Sequence, residues 1–226
     1  MKLYSSSPKA STSMLFDDIL IKEISNIKDK ITIIIESGTY LGNGSTKMLS
    51  DIFSDSKTIK KLITIEANSN FYFIALENLK DIVFVECING FSLDLSECIN
   101  FIDNDEYLLN HEKYDDIYID SFDPISNYKN EIMVSQGKPQ NLLKKLISEN
   151  IDEELLIVLD SAGGIGYFEY LSVKEILKNK NYYLLMDDVD HIKHYRSKKD
   201  IMNNDSFDVI ITNDNYLLCK HHKRFL

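Results

Sequence analysis

Four acidic residues follow short apolar runs, a pattern that places carboxylates at the ends of strands. They are Glu36, Glu66, Asp120 and Asp160. In open α/β sheets, ligands bind in the crevice beyond the carboxyl ends of the strands. A single acid there means little, because a strand has to end in something polar. Four such acids indicate a shared site, although a solvated or loop-capping role stays open for any one of them.

The loop from Glu36 to Gly44, ESGTYLGNG, contains the most chemical information. Its glycines allow a tight strand-to-helix turn and a close approach of the backbone to a ligand. Their spacing is G-x-x-x-G-x-G, whereas a dinucleotide-binding loop has G-x-G-x-x-G. Glu36 would repel a pyrophosphate, but it would suit an ammonium group and lie favourably near a sulfonium cation. Glu66, which ends the next predicted strand, could accept hydrogen bonds from two ribose hydroxyls.

The segment HIKHYR, from His191 to Arg196, places further polar side chains after a later predicted strand. Histidine titrates near neutral pH and can serve as a general base, so His191 and His194 are candidates to accept a proton. Arg196 could bind an acidic acceptor. The alternative, a polar loop with surface histidines, remains open.

Apolar strand-like runs alternate with amphipathic helical patterns along the chain. Continuous β-branched runs, such as residues 31–35, are typical of strands that are buried on both faces of a parallel sheet. Strands are predicted at residues 31–35, 62–65, 82–85, 116–119, 155–159 and 182–186, and a hairpin at 207–212 and 216–219. We therefore predict an α/β fold in one domain, residues 1–226: a doubly wound, mostly parallel seven-stranded sheet with a C-terminal antiparallel hairpin.

Composition limits the class of protein and its partners. Hydrophobic residues make up 44% of the chain and charged residues 27%, as in globular proteins. The formal net charge of −11 repels nucleic acid and anionic membranes, so neither is expected as a partner. The sparse cysteines, Cys87, Cys98 and Cys219, predict reduced thiols in a cytoplasmic protein. Residues 1–15 lack an apolar signal core and are predicted to form a flexible N-terminal arm.

The ordered motifs resemble those of class I S-adenosylmethionine-dependent methyltransferases. ESGTYLG, from Glu36 to Gly42, is similar to their motif I, nearest to the E-x-G-x-Y-x-G form of catechol O-methyltransferase-like enzymes. ITIE, YDDIYID and IVLD, which end at Glu66, Asp120 and Asp160, resemble their second, fourth and fifth strand motifs. The resemblance implies S-adenosylmethionine as the methyl donor. The cofactor-binding residues that it implies are Glu36, Gly38, Tyr40, Gly42, Glu66, Gly90, Ser92 and Asp120.

The resemblance also raises the question of a metal ion. Metal-dependent relatives hold Mg²⁺ with an acid after strand four and an Asp-Asn or Asp-Asp pair after strand five. In the predicted register these positions fall on Asp120 and on Asp160-Ser161, so Asp120 and Asp160 are the candidate ligands of Mg²⁺. Asp123 could replace the poor ligand Ser161, because Mg²⁺ accepts carboxylates and water. The alternative is that these acids only shape an acceptor pocket.

The sequence therefore predicts a methyltransferase that uses S-adenosylmethionine and acts on a small-molecule or sugar-like acceptor, by O-methylation. Its candidate catalytic residues are Asp120, His191 and His194. One alternative is a nucleotide- or sugar-nucleotide-binding enzyme that shares only the sheet. Another is a non-catalytic protein that has kept the fold without the chemistry. The N-terminal arm and the terminal hairpin are candidate contacts of a homodimer.

Overall fold

The computed structural model describes residues 17–114 and 116–223, so the predicted arm at residues 1–15 lies outside the described residues. The strands are β1 (Ile33–Ser37), β2 (Lys61–Glu66), β3 (Val85–Asn89), β4 (Leu155–Leu159), β5 (Tyr182–Asp187), β6 (Phe207–Thr212) and β7 (Tyr216–His221). They form one seven-stranded sheet in the order β3-β2-β1-β4-β5-β7-β6. The strands from β1 to β5 pair in parallel, and β7 pairs antiparallel with both β5 and β6. The predicted fold class and terminal hairpin are thus confirmed.

One of the eight predicted strand segments, residues 116–119, does not enter the sheet. Tyr118 makes only an isolated parallel bridge to His191. Ile117 and Ile119 are buried, as their alternation indicates, but they pack in a local apolar cluster outside the sheet. The prediction of a fourth strand here was wrong. Alternating apolar side chains indicate that one side of a segment is buried, but they do not show that the segment pairs with a neighbouring strand. The predicted fifth and sixth strands are therefore β4 and β5.

One described α-helix precedes β1, and the others lie in the connections between strands. They are α1 (Asp18–Ile27), α2 (Ser45–Phe53), α3 (Ser69–Leu79), α4 (Leu95–Asn104), α5 (Glu106–Leu109), α6 (Pro124–Ile132), α7 (Leu142–Glu149), α8 (Gly166–Ile176) and α9 (Tyr195–Met202). The Asn68 side chain caps α3 by accepting a hydrogen bond from the Asn70 N–H at 2.9 Å. None of the described helices has the length and apolar character needed to cross a bilayer.

The core lies in two layers, one on each face of the sheet. Successive side chains of a strand point to opposite faces. Ile33 and Ile35 of β1 belong to the layer under α7 and α8, whereas Ile34 belongs to the layer under α1 and α2. Because both faces are covered, β1 has to be apolar throughout, which explains its unbroken β-branched run.

A third apolar cluster lies in the long connection between β3 and β4. It is built from residues between Phe91 and Ile132 together with Ile165 and Ile192, which belong to the loops after β4 and β5. The carboxyl ends of parallel strands share one edge of a sheet, so this cluster packs against the edge where the predicted site residues lie.

Candidate active site

The backbone of the turn after β1 lies in close contact with the backbone at the end of β4. Gly38 has a φ of +97°, in the left-handed region that side chains disfavour. A Cβ at this position would lie 2.2 Å from the carbonyl oxygen of Asp160. Glycine is therefore required by the backbone conformation and by the lack of space.

Glu36 is fully buried at the carboxyl end of β1. Its Oε2 accepts hydrogen bonds from the Thr46 hydroxyl at 2.5 Å and the Thr64 hydroxyl at 2.7 Å. Its Oε1 has no hydrogen-bond partner among the described residues. Burial raises the pKa of Glu36 to about 7, against the lowering effect of the threonine hydroxyls. The unpartnered oxygen fits a site that is completed by a hydrogen-bond donor of a ligand.

Glu66 ends β2, the neighbour of β1 in the sheet. Its two carboxylate oxygens accept hydrogen bonds from the backbone N–H groups of Tyr40 and Asn68, each at 2.7 Å. Burial raises the pKa of Glu66. These bonds fix the carboxylate between the turns that follow β1 and β2, and each oxygen retains a second lone pair for a ligand hydroxyl.

Tyr40 and Gly42 shape the remainder of the turn after β1. Tyr40 adopts a φ of 53°, is 54% exposed, and packs edge-on against Phe71 with ring centroids 4.7 Å apart. A Cβ on Gly42 would lie 2.9 Å from Leu79 Cδ1, so this glycine lets the turn contact α3 closely. The turn thus presents an exposed aromatic ring that can cover a bound ligand.

Gly90 and Ser92 follow β3, where the resemblance implies an approach to the adenine. Gly90 donates its N–H to the Glu66 carbonyl oxygen at 3.0 Å, and a Cβ there would lie 2.4 Å from Leu142 Cδ1. Gly90 therefore also has a packing role beside α7. Ser92 is buried.

Glu169 is a buried acid in the first turn of α8. Its Oε2 accepts hydrogen bonds from the hydroxyls of Ser37 at 3.1 Å and Ser161 at 2.6 Å. Burial raises its pKa, and the serine hydroxyls act in the opposite sense. This carboxylate links the end of β1 to the loop that follows β4.

Asp120 and His191, two predicted catalytic residues, lie together with Tyr128 of α6. The Tyr128 hydroxyl donates to Asp120 Oδ1 at 2.8 Å and lies 3.2 Å from His191 Nε2. His191 Nε2 is 3.5 Å from Asp120 Oδ1. The isolated bridge between Tyr118 and His191 brings the two chain segments together. The prediction that Asp120 ends a strand was wrong. Its side chain nevertheless lies beside His191, the other predicted catalytic residue in this cluster.

The hydrogen bonds of this cluster assign the proton on His191. Its Nδ1 accepts a hydrogen bond from the Lys193 backbone N–H at 3.2 Å, so the neutral ring carries its proton on Nε2. The Nε2–H then points to Asp120 and Tyr128. The hydrogen bond from His191 lowers the pKa of Asp120 to about 2, against the effect of burial. Asp120 is therefore ionised at neutral pH and its side chain is 43% exposed, so it can accept a hydrogen bond from a ligand.

His194 and Arg196 do not reach an open cleft. His194 is fully buried, and a Cβ on Gly166 would lie 2.5 Å from its Cε1 atom. Burial and the charge of Lys193 hold its pKa well below the usual value. Arg196 forms an ion pair with buried Asp105 at 2.6 Å, and its guanidinium lies 4.1 Å from the ring centroid of Tyr167. The histidine is enclosed and the arginine is already paired, so neither is placed to contact an acceptor.

Three further acids converge where β4 and β5 end. Asp160 follows β4, and Asp187 and Asp188 end and follow β5. One carboxylate oxygen from each lies within 4.8 Å of the others. The Lys193 Nζ lies 2.9 Å from Asp188 Oδ2 and 3.4 Å from Asp160 Oδ1. Asp120 does not belong to this group among the residues that the structure describes.

Two solved structures with the same architecture contain bound ligands. The O-methyltransferase from Bacillus cereus, in complex with SAH, is 13% identical, with a TM-score of 0.50 over 98% of this chain and 84% of its own. Cofactor-bound Rv0187 from MTB is 12% identical, with a TM-score of 0.52 over 95% of this chain and 88% of its own. The chain has the class I methyltransferase fold. No family model matches the sequence, and no curated protein matches it.

The methyltransferase fold corrects the predicted metal ligands. The acid after the fourth strand of the sheet is Asp160, not Asp120, and the acidic pair after the fifth is Asp187-Asp188, not Asp160-Ser161. Both oxygens of Asp187 lack a hydrogen-bond partner among the described residues, which leaves their lone pairs available to a cation. The Lys193 ammonium, however, already lies against two of the three carboxylates. The donor set with its lysine does not fit a resident Mg²⁺.

Sequence reasoning missed Asp187, Asp188 and the role of Lys193. The signal was present, because Met186-Asp187-Asp188 follows an apolar run just as Asp160 does. The strand predicted at residues 116–119 moves each later motif by one position along the sheet. Lys193 lies five residues beyond Asp188, and only the folded loop shows that its ammonium reaches the acids.

Proposed function

We propose that this protein is an S-adenosylmethionine-dependent methyltransferase that methylates a hydroxyl oxygen of a small-molecule or sugar-like acceptor. The observation that carries the proposal is the pair of buried carboxylates, Glu36 and Glu66, at the carboxyl ends of adjacent strands. An adenosyl amino acid presents an ammonium group at one end and a ribose diol near the other. The two carboxylates suit these groups, and the methyltransferase fold supports the same ligand.

The residues around the two carboxylates have distinct roles in this proposal. Glu66 accepts hydrogen bonds from the ribose hydroxyls through the lone pairs that its backbone partners leave open. Glu36 attracts the ammonium group, directly or through water, with the oxygen that now has no partner. Gly38 and Gly42 allow the close approach of the backbone, and Tyr40 covers the ligand. Gly90 and Ser92 border the adenine.

The acceptor side of the proposed site is the Asp120–Tyr128–His191 cluster. When bound, S-adenosylmethionine would supply a methyl group from its sulfonium and, as the S–CH₃ bond breaks, would leave as neutral S-adenosylhomocysteine. Asp120 stays ionised and accepts a hydrogen bond from the acceptor hydroxyl, which orients the oxygen lone pair. His191 holds Asp120 through Nε2–H, and the hydroxyl proton leaves toward this carboxylate as the new C–O bond forms. Asp120 therefore remains the proposed catalytic residue, His191 becomes a positioning residue because it acts through Asp120, and His194 is left out because it is enclosed.

Calorimetry with S-adenosylmethionine, S-adenosylhomocysteine and NAD tests the proposal. We expect both methionine nucleosides to bind and NAD not to bind. Glu66→Gln should weaken S-adenosylhomocysteine binding by about 10–100-fold. The new amide NH₂ group would face a backbone N–H, and the ribose hydroxyls would lose a charge-assisted hydrogen bond to the carboxylate. Glu77→Gln, an exposed change on α3, is the matched control and should bind as the wild type does.

Two outcomes would contradict the proposal. One is binding of NAD with no binding of either methionine nucleoside, which would favour a dinucleotide enzyme that shares the sheet. The other is nucleoside binding without methyl transfer to any hydroxyl acceptor in a screen with labelled donor, which would favour a non-catalytic role.

A further inference from the structure

We infer that the Lys193 ammonium is a built-in cation that occupies the place of a divalent metal ion among Asp160, Asp187 and Asp188. The inference concerns the acid cluster after β4 and β5 and holds whether or not the protein transfers methyl groups. The cluster has the ligands that a cation prefers, since one carboxylate oxygen from each of the three residues lies within 4.8 Å of the others.

The carboxylate of Asp187 shows that the cluster is made for a cation. Asp187 is fully buried, and neither of its oxygens has a hydrogen-bond partner among the described residues. A buried carboxylate without donors is costly unless a positive charge lies close to it.

Lys193 supplies that positive charge from within the chain. Its side chain is only 7% exposed, and its Nζ lies 2.9 Å from Asp188 Oδ2 and 3.4 Å from Asp160 Oδ1. The ammonium is thus enclosed with the carboxylates that it neutralises.

A divalent cation and this ammonium exclude each other. Mg²⁺ binds oxygen at about 2.0–2.1 Å and has to approach the same carboxylates that Lys193 contacts. Two positive charges held at such separations in a buried site repel strongly. The wild-type protein therefore needs no metal ion here, and removal of the ammonium should expose a divalent-cation site.

Mn²⁺ titration, followed by electron paramagnetic resonance of free Mn²⁺, tests this inference. We expect no tight binding by the wild type or by Lys193→Arg, which keeps the charge. Lys193→Met keeps the aliphatic stem and should bind one Mn²⁺ at least tenfold more tightly than the wild type. Adding Asp187→Asn to Lys193→Met should abolish the gain. Lys174→Met, which removes a lysine paired with the single carboxylate of Asp200, is the control and should gain no site.

Several results would overturn the inference. The first is tight Mn²⁺ binding by the wild type that Asp187→Asn removes. The second is a folded Lys193→Met protein, judged by circular dichroism, that binds Mn²⁺ no better than the wild type. If Lys193→Met is too unstable to titrate, its melting temperature should rise with Mn²⁺ and that of the double variant should not; equal melting temperatures with and without Mn²⁺ count against the inference. Failure of S-adenosylhomocysteine to bind the wild type would instead count against the proposed methyltransferase function.

Discussion

At the scale of single residues, burial decides the chemistry of the acids in this protein. Glu36 and Asp120 are both carboxylates near the carboxyl edge of the sheet, yet their pKa values move in opposite directions, to about 7 and about 2. Glu36 is enclosed and receives bonds only from neutral hydroxyls, whereas Asp120 is partly exposed and receives a bond from His191. Residue type alone does not distinguish the two.

Replacing Glu36 with glutamine should change how stability depends on pH. The pKa of Glu36 is raised from 4.5 in the reference state to about 7 in the fold. Its contribution to stability is therefore full below pH 4.5 and is lost as pH rises through 7. Glutamine does not ionise, so the free energy of unfolding of Glu36→Gln relative to the wild type should increase over this range, by up to about 3 kcal/mol.

Urea unfolding at pH 4.5 and pH 8 measures this difference. Glu77→Gln on the exposed face of α3 controls for the loss of one negative charge and should show little dependence on pH relative to the wild type. A Glu36→Gln protein with the same stability difference at both pH values would show that the carboxylate is not held in a buried, unfavourable environment.

At the scale of elements, the site is assembled where turns of different strands touch. The turn after β1 contacts the end of β4 at Gly38, and the carboxylate of Glu66 joins that turn to the one after β2. Glu169 of α8 joins the last residue of β1 to the loop that follows β4. Each of these contacts links segments far apart in sequence, so the geometry of the site depends on the sheet being formed.

The contact between the β1 turn and β4 predicts a large cost for Gly38→Ala. The new Cβ would lie 2.2 Å from a backbone oxygen that cannot rotate away, and the φ of +97° adds strain. We expect a loss of about 2–4 kcal/mol in the free energy of unfolding, from overpacking and strain together. Urea denaturation measures the loss.

Gly137→Ala is a matched control for this prediction. Gly137 also has a positive φ, +78°, but no atom lies within 4 Å of the place where its Cβ would be. Only the strain of the left-handed conformation applies, so we expect a cost of about 1 kcal/mol. Equal costs at the two glycines would mean that the contact of the β1 turn with β4 does not constrain the fold.

At the scale of the whole molecule, charge limits the partners of the protein. A formal net charge of −11 opposes association with a polyanion, since phosphate backbones are bound through clustered basic residues. We expect binding to a 20-nucleotide RNA at about 150 mM salt to be weaker than about 100 μM, measured by fluorescence anisotropy. Tighter binding that weakens steeply with added salt would reveal a local basic surface and would redirect the search for an acceptor toward nucleic acid.

The sequence by itself determined the fold class, the terminal hairpin and the places of Glu36 and Glu66. These follow from local patterns: apolar runs buried on both faces, glycines at a strand-to-helix turn, and acids where strands end. Residues 116–119 show the limit of such patterns, because their alternation predicts a strand although they pair with no strand of the sheet. Lys193 shows the same limit, since the spacing of residues in the sequence does not reveal that its ammonium lies among three aspartates. Only the tertiary structure decided these two points, because strand partners and burial depend on segments that meet in the folded chain.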